Sequence, residues 1–102
     1  MRIVYKLTDE KGRYYIGKQI VRWNNKNDIM DNWWRMGIPR SMAEKYFKTD
    51  IENLTFEILE CYANYTSMEQ VYKVYLKDET DIDNLIYYRM KEWYKKYILK
   101  EN

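Results

Sequence analysis

Apolar and polar residues alternate at the start of the chain. In Arg2-Ile3-Val4-Tyr5-Lys6-Leu7, Ile3, Tyr5 and Leu7 fall on one face, the two-residue period of a half-buried strand. A second β-rich run, Arg13-Tyr14-Tyr15-Ile16-Gly17-Lys18, follows the polar turn Thr8-Asp9-Glu10-Lys11-Gly12, and together they predict an N-terminal β-hairpin. The alternation returns over residues 54–61, where Phe56 and Ile58 share a face, and predicts a third strand. Elsewhere the period lengthens. Asp28 is placed to cap a short helix containing Ile29, Met30, Trp33 and Trp34, which Gly37 and Pro39 end. Ser41-Met42-Ala43-Glu44 has the capping-box pattern and opens a helix to about Lys48. Thr66-Ser67-Met68-Glu69 repeats that pattern, and Met68, Val71, Tyr72, Tyr75 and Leu76 then recur in steps of three and four as one buried stripe. A last helix from Asp81 or Asp83 to about Lys100 turns Ile82, Ile86, Met90, Trp93 and Tyr97 inward. It keeps Lys91, Glu92, Lys95 and Lys96 outside, with Glu92 and Lys96 at the favourable i,i+4 spacing. The order β-β-α-α-β-α-α predicts an α+β domain, a small three-stranded antiparallel sheet flanked by helices.

Length and composition narrow this picture. A chain of 102 residues suits one domain with one core, and no Pro/Gly/Ser linker divides it. Twelve tyrosines and four tryptophans supply large buried areas, and equally rings that stack on bases or fill interfaces. A homodimer through that aromatic surface is one expectation. Cys61 is the only cysteine and reads as a small core residue, so no internal disulfide forms. The absence of histidine removes imidazole acid–base catalysis and every histidine-containing metal site. No apolar run approaches a membrane span and the N-terminus has no signal-peptide core, so the expectation is a cytoplasmic protein without membrane contact.

Net charge is only +2, but the charges are segregated. Residues 1–48 carry eleven lysines and arginines against five acids, residues 49–83 two against nine, and residues 84–102 five against two. The basic N-terminal part is suited to phosphate and the acidic middle to a basic partner; the same charges also serve as ordinary solvated faces.

Ile3-Val4-Tyr5, followed nine residues later by Tyr15-Ile16-Gly17, resembles the paired strands that give the GIY-YIG nuclease family its name. Residues 50–60, Asp-Ile-Glu-Asn-Leu-Thr-Phe-Glu-Ile-Leu-Glu, are similar to the third-strand segment of phage-encoded members. The helix at Met68–Lys77 falls where the family has its metal-binding helix. The likeness spans residues 1–78, leaving 79–102 as a C-terminal helical extension of a single domain. Ile3 stands where the family has its first glycine.

The resemblance implies phosphodiester hydrolysis by water with one divalent metal, Mg²⁺ or Mn²⁺. It assigns Tyr5 and Tyr15 to the catalytic tyrosines, one of which takes or positions the proton of the attacking water. It calls for an arginine on the phosphate, for which Arg22 is nearest in spacing and Arg35 and Arg40 are rivals. Gly17 allows close backbone approach. The metal-holding glutamate is the departure, because counting along the helix puts Tyr72 at that position, and a neutral phenol is a poor ligand for a hard cation. Glu69, one turn earlier, is the available carboxylate, and it is also the fourth residue of the Thr66 capping box.

Three functions compete. A degenerate domain binds nucleic acid or nucleotide without cutting, with Lys11, Arg13 and Lys18 on phosphate and Trp33 and Trp34 stacking on bases. A scaffold of phage origin inhibits a host or defence protein. An active endonuclease uses Tyr5, Tyr15, Arg22 and Glu69.

Overall fold

The computed structural model describes residues 1–101, apart from the side chains of Tyr65, Thr66, Leu99, Lys100 and Glu101. Strand β1 (Arg2–Thr8) pairs antiparallel with β2 (Tyr14–Ile20) and, on its other side, with β3 (Thr55–Tyr62), so the sheet order is β2-β1-β3. The hairpin register sets Tyr5 opposite Gly17 and Leu7 opposite Tyr15. Asp9 shapes the turn: its Oδ1 accepts from the Lys11 and Arg13 backbone N–H groups at 3.0 and 2.8 Å, and Gly12 takes the positive φ of 86° that the tight reversal needs. The third strand lies one residue later than its expected bounds.

Each face of the sheet is covered by helices, as a sheet with apolar residues on both faces requires. Ile3, Tyr5 and Leu7 pack with Val21, Ile29, Met36, Ala43, Phe47, Leu54 and Phe56 beneath α1 (Lys26–Asn32) and α2 (Gly37–Met42). Val4, Ile16 and Tyr62 pack on the opposite face with Met68, Leu76, Ile82 and Ile86 from α3 (Tyr65–Tyr72), the chain after it, and α4 (Glu79–Glu101). Full burial of such side chains contributes about 1.5–3 kcal/mol each. Cys61 packs partly buried against the first of these clusters, as a small apolar residue does. The domain is α+β with a three-stranded antiparallel sheet. Among the described residues no helix is long and apolar enough to cross a membrane.

The helix boundaries correct several expectations. Asn25, not Asp28, caps α1: its side chain accepts from the Asp28 N–H at 2.8 Å, and Asp28, in the first turn, receives the Asn25 amide at 3.0 Å. Gly37 and Pro39 begin a helix instead of ending one. Pro39 fits because N–H groups in a first turn have no intrahelical acceptor to lose. The Ser41 box therefore opens nothing; α2 runs on through a π-helical turn at Ala43–Phe47 and stops at Lys48, which adopts the left-handed conformation. Asn64 caps α3 by accepting from Ser67 N–H at 3.0 Å, while the Thr66 side chain lies outside the described residues. That helix ends at Tyr72, with Lys73 left-handed, so the expected buried stripe breaks: Val71 and Tyr75 are exposed.

Helix α4 begins earlier than expected, after Asp78, whose Oδ1 accepts from the Asp81 N–H at 3.1 Å. Its inward face is as expected, with Ile82 and Ile86 buried and Met90, Trp93 and Tyr97 partly so. Glu92 pairs with Lys95 at 3.5 Å, and Lys96 instead lies 4.6 Å over the Trp93 ring. Tyr94 reaches the outer edge of β2, where its hydroxyl accepts from Ile16 N–H at 2.8 Å and donates to Ile16 C=O at 3.2 Å.

Candidate functional site

The hairpin brings Tyr5 and Tyr15 to one face, with ring centroids 6.3 Å apart. Tyr14 turns to the other face and packs with Tyr94 and Tyr97, as alternation requires. Tyr5 is fully buried. Its ring stacks on Phe56 at 5.2 Å, and Phe56 stacks on Trp33 at 5.0 Å with planes 7° apart. Gly17 opposite makes this possible: a Cβ there would lie 2.6 Å from Tyr5 Cζ and Oη and 2.8 Å from Tyr15 Cε1. The Tyr5 hydroxyl is buried with no hydrogen-bond partner among the described residues. Burial, with the nearby Tyr15 and Tyr94 phenols adding to it, pushes Tyr5 far above the ordinary tyrosine value, and burial raises Tyr15 as well. Both phenols are protonated at neutral pH.

The arginine candidates separate. Arg22, just after β2, lies 5.4 Å over the half-buried Trp23, and Arg35 lies 4.9 Å over the exposed Trp34. Arg22, Trp23 and Arg35 line one cleft of about 300 Å³ with Gln19, Ile20, Val21 and Met36. Neither arginine has an ion-pair partner among the described residues. Arg40, exposed on α2, does not line that cleft. Trp33 is core material through its stack on Phe56, while Trp34 keeps 46% of its surface, its Nε1 donating to Asp31 C=O at 3.2 Å.

The hairpin cations are partly engaged. Arg13 pairs with Asp9 at 2.8 Å and donates to Phe47 C=O at 3.0 Å, clasping the turn to the π-helical segment. With Lys11, Gly12, Tyr14, Tyr46 and Tyr94 it lines a second, open cleft of about 560 Å³. Lys18 lies 3.9 Å from Asp83 at the far end of β2.

Glu69 is not brought to the tyrosines. It belongs to α3, which packs on the opposite face of the sheet, and its Oε2 accepts from Leu76 N–H at 3.0 Å, capping the chain beyond the helix. Tyr72, at the counted metal position, donates to Glu60. No group of three or more acidic or sulfur ligands is assembled among the described residues. These residues do not fit a divalent metal beside Tyr5 and Tyr15.

Glu60, read from the sequence as a strand residue and a weaker metal candidate than Glu69, has a different role. Its carboxylate accepts from Tyr62 at 2.7 Å, from Tyr72, from Trp93 Nε1 at 2.7 Å and from Arg89 Nε at 3.1 Å. Burial works to raise its pKa, but the hydrogen bonds from Tyr72, Tyr62 and Trp93 and the Arg89 charge outweigh it and hold the carboxyl below the ordinary value. This saturated network ties β3 to α3 and α4. It leaves the carboxylate no open position for a cation. Simple alternation puts Glu60 on the Phe56 and Ile58 face. A bulge between Val4 and Tyr5 sends it to the other, because Ile58 pairs with Tyr5 but Glu60 with Val4.

No family model, curated protein or solved structure matches the chain. The observations define a small α+β domain that carries a buried tyrosine beside a half-buried one and, at the exit of β2, a cleft with a tryptophan and two arginines that have no ion-pair partner among the described residues.

Proposed function

We propose that this chain is a GIY-YIG-like domain of phage origin that keeps the tyrosine hairpin and binds nucleic acid without cutting it. The observation that carries this reading is the separation of the two halves a nuclease needs. Tyr5, Tyr15 and Gly17 lie on one face, while Glu60 and Glu69 are committed to hydrogen bonds on the other. The raised phenols are also poor proton acceptors, which a hydrolytic step requires. Binding survives those losses, because it needs only cations and rings. Arg22 and Arg35 are available to phosphate, while Lys11 and Arg13 line the separate cleft at the hairpin turn and Lys18 lies by Asp83.

The test is nicking of supercoiled plasmid with Mg²⁺ or Mn²⁺ beside an electrophoretic binding assay. Salt-sensitive binding with no nicking is the expected outcome. Cleavage abolished by both Tyr15→Phe and Glu69→Gln would establish the alternative, an active metal-dependent endonuclease.

A protein partner is the second reading, favoured by the exposed Val71 at the end of α3 and Val74 and Tyr75 just after it, Tyr75 keeping 82% of its surface. A host or defence protein seated there is lost on Tyr75→Ser and indifferent to Arg22→Ala.

A further inference from the structure

Nucleic acid meets a protein as duplex, as unpaired strand or as free nucleotide, and the residues at the exit of β2 discriminate among these. A duplex offers phosphates outside and keeps its base faces stacked. An unpaired nucleotide offers a phosphate and a bare aromatic face together, and aromatic side chains or guanidinium planes take up that face. The cleft below Arg22 and Arg35 has the parts for the second kind of ligand. Its volume of about 300 Å³ is at the small end for ligand sites and matches one compact group. Trp23 is held half-buried against the first core cluster with the Arg22 guanidinium 5.4 Å over its ring, so a base takes that face as Arg22 turns to the phosphate. Ile20, Val21 and Met36 complete an apolar wall.

Charge and hydrogen-bonding capacity agree with this. Both arginines lack a carboxylate partner among the described residues, as does Arg40 outside the cleft, whereas Arg2, Arg13 and Arg89 each have one. Gln19 lines the same cleft. Its Nε2 donates to Ile20 C=O at 3.3 Å, and its Oε1 is buried with no partner among the described residues. An unmet amide oxygen is costly, and the exocyclic amine of a base satisfies it once the amide turns toward the cleft.

We infer that this cleft is a subsite for one unpaired nucleotide, with its phosphate held by Arg22 and Arg35, its base against Trp23 and an exocyclic amine directed to Gln19. The inference rests on the nucleic-acid reading above and specifies the form of nucleic acid. A free mononucleotide and an unpaired position in a strand share this chemistry.

The experiment measures fluorescence anisotropy of a labelled 12-nucleotide single strand and of its duplex over a salt series. It uses the full chain, Arg22→Ala, Arg35→Ala, the double variant and Lys91→Ala as a charge-matched control on α4. Adenosine monophosphate serves as competitor, and circular dichroism verifies folding. The expected result is a single strand bound at least about tenfold more tightly than the duplex, with each arginine variant weakening it about fivefold or more. Lys91→Ala leaves it unchanged. The double variant also lowers the salt slope by about 0.7, the share of one phosphate contact on a single strand. Competition by the mononucleotide at comparable concentration identifies the free nucleotide as sufficient; competition only by oligonucleotide identifies the strand. Duplex binding as tight as single-strand binding, or arginine variants equal to the parent, overturns the subsite while leaving nucleic-acid binding intact. Absence of binding to either form overturns both.

Discussion

Replacing Tyr5 by Phe removes one oxygen from a fully buried ring and leaves its stack on Phe56 in place. The hydroxyl has no hydrogen-bond partner among the described residues, so folding strips it of water and returns nothing. An unsatisfied buried polar group costs about 1–3 kcal/mol. Against this stands the loss of a single oxygen's packing, which is smaller than the loss of a methylene, about 0.8 kcal/mol. The net expectation for Tyr5→Phe is a gain of about 1 kcal/mol, which for a domain of this size raises Tm by about 4–8 °C. Thermal and urea unfolding followed by circular dichroism at pH 7 measures it. The alkaline limb adds a second check. A phenol whose folded pKa is raised contributes its full stability below the unfolded value of about 10, and that stability declines as pH rises beyond it. Tyr5→Phe therefore flattens the loss of stability above pH 10. A variant less stable than the parent by more than about 0.5 kcal/mol would refute the reasoning, since the hydroxyl would then have a partner in solution. A stabilised variant that also binds nucleic acid more weakly would mean that the oxygen is kept for its function against its cost to the fold.

Two further substitutions probe the two faces. Gly17→Ala drives a methyl into the Tyr5 and Tyr15 rings and is expected to cost about 1–3 kcal/mol in urea unfolding. Part of that is recovered in the Tyr5→Phe background, because Tyr5 Oη is one of the atoms met at 2.6 Å. Glu60→Leu strands Arg89 without its anion and is expected to cost about 3 kcal/mol. That is the lower end for a buried pair, because the Arg89 side chain keeps 26% of its surface in solvent. Because the Glu60 carboxyl is held below its ordinary value, its contribution is complete above the unfolded value of about 4.3 and is lost as pH falls through the folded one. Glu60→Gln should therefore weaken the acid dependence of stability between about pH 5 and 2, and an unchanged acid limb would count against the network.

The hairpin was legible because its alternation, its Gly12 turn and its opposed Tyr5 and Gly17 all act locally, through pleat and register. The third strand and the inward face of α4 were legible from their periods for the same reason. What misled was long-range. Pro39 looks like a stop only until a preceding extended residue, Met36, makes it part of a first turn. Tyr75 follows the helical period, but Lys73 has already turned the chain left-handed. Glu60 reaches the face opposite Phe56 because of one bulge, whose position depends on pairing with β1 and leaves no mark in β3 itself. Of the candidate site, the tyrosine pair and Arg22 were visible as a likeness. Trp23 was not, because an isolated tryptophan after a strand carries no period.

The hydroxyl of Tyr94, bonded to both backbone groups of Ile16, imitates a single residue of a neighbouring strand. An open sheet edge is a template on which other chains assemble, and proteins commonly blunt it with charge, proline or a bulge. Here one phenol carried on α4 occupies the ladder position in the middle of β2 and denies that side to an incoming strand. Accretion of further strands, whether in a pathological fibre or in a designed fusion, is thereby directed to the β3 side, and loss of the Tyr94 hydroxyl opens the other.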